Sequence, residues 1–352
     1  MPDTTDATVA EPRLTSLAHG GGCGCKLAPN VLADILSEMP LSLGSKDLLV
    51  DAGTSDDAAV YRINDTTALV ATTDFFTPIV DDPHTFGRIA ATNALSDVFA
   101  MGAKPIFSLA IVGMPVNRIS PLTIRAILAG GQSVAEAAGA PVAGGHSIDA
   151  AEPIYGLVAM GIVDPSRILM NSNAKPGDVL ILGKPLGIGI YSAALKREIL
   201  EPAHYEEMIA STTRLNTPGT ELSAMDGVHA ATDVTGFGLI GHGSEMARGA
   251  GVSLVIEKAK VPVFDGARAL AESGVKTGAS GRNWDSVKHL VTGDMTEAER
   301  DLLCDPQTSG GLLVACAPEV AEDVLALFAL HGHDGAAMVG RVAAGPAGVS
   351  VI

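Results

Sequence analysis

The residues with the most reactive potential stand near the start of the chain, in the string His19-Gly20-Gly21-Gly22-Cys23-Gly24-Cys25-Lys26. Four glycines around two thiols leave the backbone almost unrestricted, so the segment reads as flexible and able to swing a thiol toward another site. Lys26 stands close enough to Cys23 for its charge to lower a thiol pKa and favour the nucleophilic thiolate. Three readings stay open on chemistry alone: a reactive thiol, an inert loop, or half of a metal site. The last needs two more ligands, and the remaining cysteines, Cys304 and Cys316, lack the paired spacing of a metal knuckle. They read as structural. The string His19 to Gly22 also copies an esterase oxyanion loop, but Gly145-His146-Ser147-Ile148-Asp149 has Asp where a nucleophile elbow needs its second Gly.

Carboxylates form the second set. Asp56 and Asp57 follow the turn-like Ala52-Gly53-Thr54-Ser55, while Asp74 and Asp233 each close an apolar run with the sequence Thr-Asp. Asp97 lies four residues after Asn93 in a helical pattern, which puts both on one face. Converging aspartates repel one another unless a hard cation sits among them, the arrangement by which Mg²⁺ holds phosphates. Gly144-Gly145-His146-Ser147 and Thr235-Gly236-Phe237-Gly238 could present backbone N–H groups to a phosphate, though tight turns explain such strings as readily. There is no P-loop, and Gly187-Ile188-Gly189 lacks the third glycine of a dinucleotide loop.

These residues need a scaffold, and the chain can build one. Its 352 residues suit two domains, 47% are hydrophobic and 18% charged. Twenty-three basic residues against 40 acidic ones give a net charge of −17, which argues against nucleic acid as the main partner. Apolar runs break long before membrane-spanning length, and the acidic start lacks the order of a secretory leader. A cytoplasmic protein with reduced thiols is expected. A helical pattern runs through Val31, Leu32, Ile35, Leu36 and Met39. Strands are expected at Ala68–Ala71 (stopping at Thr72-Thr73-Asp74), Ile106–Val112, Ile154–Val163, Val179–Gly183 and Val228–Thr232. Helices are expected at Arg88–Met101, Thr123–Gly139, Gly189–Arg197 and Leu239–Arg248. The alternation gives an α/β or α+β chain. The polar stretch after Asp164-Pro165 divides it into residues 1–164 and 165–352.

Taken together, seven strings in order resemble the selenophosphate synthetase family. They are residues 19–26, Ser-Asp-Asp-Ala-Ala-Val-Tyr at 55–61, Thr-Thr-Asp-Phe-Phe-Thr-Pro-Ile-Val-Asp at 72–81 and Ala-Thr-Asn-Ala-Leu-Ser-Asp-Val-Phe-Ala-Met-Gly at 91–102. Gly-Gly-His-Ser-Ile-Asp at 144–149, Thr-Asp-Val-Thr-Gly-Phe-Gly-Leu at 232–239 and Asp-Pro-Gln-Thr-Ser-Gly-Gly-Leu-Leu at 305–313 complete them. The resemblance implies a Mg²⁺-dependent enzyme that converts ATP, selenide and water into selenophosphate, AMP and orthophosphate. It implies the two-domain aminoimidazole ribonucleotide synthetase-like fold, a homodimer with nucleotide sites near the interface, and a selenium-delivery protein as a further partner. By position it makes Cys23 the reactive cysteine and Lys26 the essential lysine, with Asp57, Asp97 and Asp233 as Mg²⁺ ligands. Lys26, Thr54, Ser55, Asp56, Asp74, Asp97, Gly145, His146 and Ser147 match nucleotide contacts. The competing readings are sister enzymes of the same superfamily, which are not expected to carry the cysteine string, and a non-catalytic selenium or metal carrier.

Overall fold

The structure, a computed structural model, describes residues 11–27, 31, 34–35, 45–51 and 56–352. Most of the helical pattern expected at 31–39, and the residues Thr54 and Ser55, lie outside them. Two sheets, one from each half of the sequence, organise the rest.

The first sheet contains β1 (Leu48–Val50), β2 (Ala59–Asn64), β3 (Thr67–Phe76), β4 (Lys104–Met114), β5 (Val142–Asp149) and β6 (Ile154–Val163), in the order β1-β2-β3-β6-β4-β5. Every neighbouring pair is antiparallel except β4 with β5. Along β3 the even positions, Ala68, Val70, Thr72, Asp74 and Phe76, are buried and the odd ones are more open, the alternation of a sheet covered on one side. Helices α1 (Pro83–Ala100) and α2 (Pro121–Ala137) lie on this sheet. Each starts with Pro in its first turn after a side-chain cap, Asp82 accepting from the Thr85 N–H and Ser120 from the Thr123 N–H. On the opposite face Phe75, Ile148 and Ile162 are exposed.

The second sheet, with parallel and antiparallel pairs, has the order β10-β13-β9-β12-β7-β11-β8. Its strands are β7 (Val179–Leu182), β8 (Val228–Asp233), β9 (Ser253–Ile256), β10 (Val291–Thr292), β11 (Leu312–Cys316), β12 (Ala337–Ala343) and β13 (Gly348–Val351). The helices that bear on the site are α3 (Ile188–Lys196), α4 (Gly238–Ala250) and α5 (Gly278–Val287). Ile188, Ile190, Tyr191 and Ala194 of α3 join the same hydrophobic cluster as Phe86, Ile89 and Leu95 of α1, so the two halves share packed surface. Cys304 and Cys316 are fully buried in apolar clusters of the second half.

Two local expectations need correcting. Asp74 does not end its strand: β3 continues to Phe76 because its pairing with β6 persists through Asp74, opposite Leu157, to Phe76, opposite Tyr155. Gly144 to Ser147 form part of strand β5 and not a phosphate-type turn, held in parallel register by β4. Among the described residues, no helix is long and apolar enough to cross a membrane.

Candidate active site

Four elements bring the aspartates together. Asp57 precedes β2, Asp74 points from β3 to the helix side, Asp97 comes from α1, and Asp233 ends β8 in the second half. Single carboxylate oxygens of Asp57, Asp97 and Asp233 all lie within 4.8 Å of one another. The Thr232 hydroxyl donates to Asp57 Oδ1 at 2.9 Å, and the Thr72 hydroxyl donates to Asp97. Asp57 Oδ2 and Asp233 Oδ2 are buried and accept no hydrogen bond. Burial first, then the charges of their neighbours, pushes the pKa values of Asp57 and Asp97 well above the carboxylate range. Burial raises Asp233 too, although the Ser96 hydroxyl and the charges of His242 and Lys26 work against it. Buried acceptors without donors are costly, and three carboxylates this close are costlier still, so the cluster suits a divalent cation with oxygen ligands.

Beside this cluster sits the cysteine segment, seated as a 3-10 turn over Gly22–Cys25. Its order comes from contacts with distant residues. The Gly22 N–H donates to Thr77 O at 2.9 Å, and the Thr77 hydroxyl to Gly20 O at 3.0 Å. The Cys23 N–H donates to the Thr308 hydroxyl at 3.1 Å. Gly22 has φ +54°, and a Cβ there would stand 2.3 Å from Thr308 Oγ1, so any other residue would unseat the turn.

Asn93 is the hub between loop and acids. Its Nδ2 donates to Asp74 Oδ2, while its Oδ1 accepts from the Cys23 thiol at 3.1 Å and from the Ser309 N–H at 2.7 Å. Asp74 Oδ2 also meets Lys26 Nζ at 3.3 Å. Burial opposes the charge on Lys26, but Asp74, Cys23, Asp97 and Asp233 together outweigh it and raise its pKa well above the ordinary value. For Cys23 the balance goes the other way. Only 1% exposed, its thiol is pushed well up by burial, and Lys26 only partly offsets this. In this seat burial therefore works against the activated thiolate expected from Lys26, and the Cys23 thiol donates to Asn93 Oδ1.

The rear of the site is stiffened by a buried lysine. Lys184 Nζ donates to the carbonyls of Arg214 at 2.7 Å and Ser309 at 2.8 Å, and burial lowers its pKa to about 7. Ser309, held at φ +51°, is fixed by Lys184, Asn93 and Ile89 O together.

Other expected site residues lie elsewhere. Asp56 Oδ1 accepts the Asn171 N–H at 2.7 Å, bonding it to the segment that leads into the second half. Gly145 shares a row with Asp74 through Leu157 and Ala110, three strand spacings or roughly 14 Å away. With His146 and Ser147 it lines a separate cleft of about 300 Å³ beside Leu128 and Gln132 of α2. Within one chain these three do not join the acidic cluster. Sequence reasoning placed Asn93 on the right helix face but gave it no role, and it did not single out Thr308, Ser309 or Lys184. The Asp-Pro-Gln-Thr-Ser-Gly-Gly string was the available signal for two of them.

The fold and the acidic cleft define an AIR synthase-related protein. Residues 55–163 match the family model "AIR synthase related protein, N-terminal domain", and residues 175–352 match its C-terminal counterpart. Solved structures of the same fold include thiamine-monophosphate kinase from Stenotrophomonas maltophilia, with TM-score 0.63 and 22% identity over 93% of this chain and 96% of that one. The hydrogenase maturation protein HypE in complex with ATP gives TM-score 0.62 and 19% identity over 97% and 94%. Sequence relatives are far nearer. A selenide, water dikinase of Pseudomonas straminea is 60% identical over 96% of this chain and 95% of its own length. One from Paraburkholderia xenovorans is 57% identical over the full length of both. The chain belongs to the selenide, water dikinase family.

Proposed function

We propose that this site makes selenophosphate from ATP, selenide and water, releasing AMP and orthophosphate, with phosphoryl transfer at the acidic cluster beneath the Cys23–Lys26 loop. The carrying observation is the convergence of Asp57, Asp97 and Asp233, with two orphaned oxygens, next to the Lys26–Asp74 pair. The three carboxylates would hold Mg²⁺, which would supply positive charge to offset that of the phosphates. Lys26 balances charge on the transferring phosphoryl group, and Asp74 with Asn93 aims its ammonium. Thr54, Ser55, Asp56, Asp74 and Asp97 complete the nucleotide contacts. Cys23, protonated and held by Asn93, positions or delivers selenium from this closed seat and does not attack as a standing thiolate.

A second copy of the chain supplies Gly145, His146 and Ser147. Support comes from the exposed Phe75, Ile148 and Ile162 on the open sheet face and from the exposed edge strand β5, both of which a homodimer would cover. A reducing cytoplasm is the proposed setting, since all four cysteines are free. A selenium-delivery protein is the remaining proposed partner.

The test is anaerobic turnover with Mg²⁺ and ATP, with and without selenide. Selenide-dependent release of AMP and orthophosphate in equal amounts is expected. ADP as the end product would overturn the reading in favour of a simple kinase, and intact ATP in folded protein would favour a carrier.

A further inference from the structure

The loop that covers the acidic cluster has an outer side. There it closes, with α3 and α5, a cavity of about 620 Å³. Lys26, Lys196 and Arg282 lie on its wall, and among the described residues lining it there is no Asp or Glu, in a chain that carries 40 of them. Lys196 and Arg282 are exposed, and neither is paired with a carboxylate among the described residues. Their contacts are to the loop backbone: Lys196 Nζ donates to His19 O at 3.3 Å, and Arg282 Nη2 donates to Gly24 O at 3.4 Å. His19, also on the wall, contacts Glu152 through Nδ1 at 2.9 Å.

The two thiols of the turn divide between compartments. Cys25, half-buried, lines the cavity, whereas Cys23 is buried against Asn93 on the inner side. Thr308 borders both spaces, since it lines the cavity and accepts the Cys23 N–H.

We propose that this cavity is the vestibule for hydroselenide, the monoanion of selenide at neutral pH, with Lys196 and Arg282 gathering it at the mouth. The inference rests on the proposed synthetase reaction. A net charge of −17 repels a small anion over most of the surface, and a cleft whose unpaired charges are cationic focuses the field that reverses this locally. The volume exceeds what one small anion fills, so capture by field, and not by a tight pocket, sets the expectation of strong salt dependence.

The test uses the full-length double variant Lys196→Gln and Arg282→Gln, in which the two charges are lost while polar side chains remain at the cavity mouth. Anaerobic initial rates are measured against selenide and against ATP at low and physiological ionic strength. The KM for selenide is expected to rise about 10-fold. The KM for ATP and kcat should stay within about twofold, and the salt dependence of kcat/KM for selenide should flatten. Unchanged selenide kinetics would overturn the proposal. Parallel rises in both KM values would also overturn it, showing that the two cations only clamp the loop. If only inhibition by orthophosphate weakened, the cavity would be a product exit and the selenide assignment would fall. Failure of the synthetase reading has a separate signal, a wild-type chain that forms no selenophosphate, and the vestibule would fall with it.

Discussion

The acidic cluster and the cysteine loop touch through Asn93 and Asp74, yet they are built in opposite ways. Asp97 and Asp233 sit on a helix and at the end of a strand, with Asp57 just before another strand, so their positions are set by regular backbone. Their chemistry is unsatisfied, with two buried oxygens that lack donors and three carboxylates crowded together. The loop is the reverse. Apart from one 3-10 turn its backbone is irregular, yet its polar groups find partners as far away as Thr308. A site that must receive a charged substrate can afford frustration where the scaffold is stiff. A cover that must seat over it needs every contact it can make.

Breaking the acidic side should have the largest effect. Asp233→Asn is expected to lower selenophosphate formation by more than about 10³-fold and to abolish the thermal shift caused by Mg²⁺ and ATP. The same substitution should raise the melting temperature of the metal-free protein, because it replaces one of three crowded, buried carboxylates with a neutral amide, a gain of about 1–2 kcal/mol. A lower melting temperature in the absence of metal would show that the cluster is not frustrated.

On the loop side, Lys26→Met should cost about 10²-fold in turnover while leaving a Mg²⁺-dependent thermal shift in place. Loss of both together would mean that the two regions are a single unit, and the comparison would fail. A milder probe is Thr308→Val, which removes the acceptor of the Cys23 N–H. Its expected cost is about 1–2 kcal/mol in the loop's seat, read as a roughly 10-fold fall in turnover and faster modification of Cys23 by a thiol reagent.

The smallest effect on turnover comes from Lys184 behind the loop, which is read instead in stability. Its folded pKa of about 7 lies below the unfolded value near 10.5, so the unfolded chain holds the extra proton between those limits. Its contribution to stability therefore rises with pH across that window and is lowest below pH 7. In Lys184→Met the melting temperature should lack this rise, and the gap to wild type should change between pH 7 and 9.5 by the equivalent of up to about 3 kcal/mol. A gap that stays constant with pH would place a fully charged lysine there.

What the sequence made legible follows the same division. Strand Ile154–Val163 matches its expected limits, and Asn93 and Asp97 share a helix face as the four-residue spacing required. Aspartates after apolar runs could be read because strand and helix periods are local. Even so, the extent of β3 beyond Asp74 depended on its pairing with β6, which no local pattern reports. The raised pKa of Cys23 was illegible for a related reason: sequence shows Lys26 three residues away, but the Thr308 and Asn93 contacts that seat the thiol come from elsewhere in the chain. The place of Gly145 to Ser147 at a sheet edge likewise depended on strand order. Helix α1 began five residues before its apolar pattern because the Asp82–Pro83 cap, and not hydrophobicity, sets its start.

Phosphoryl transfer to selenium is proposed to happen where the acidic cluster meets the loop. The most direct measurement is anaerobic ³¹P NMR of the full-length protein with Mg²⁺ and ATP, before and after adding selenide. A phosphorus signal coupled to selenium is expected that grows only with selenide, alongside AMP and orthophosphate, and that is lost in Asp233→Asn and strongly reduced in Lys26→Met. A phosphorus–selenium product formed at the wild-type rate by either variant would contradict it, as would ATP that stays intact in the folded wild-type protein.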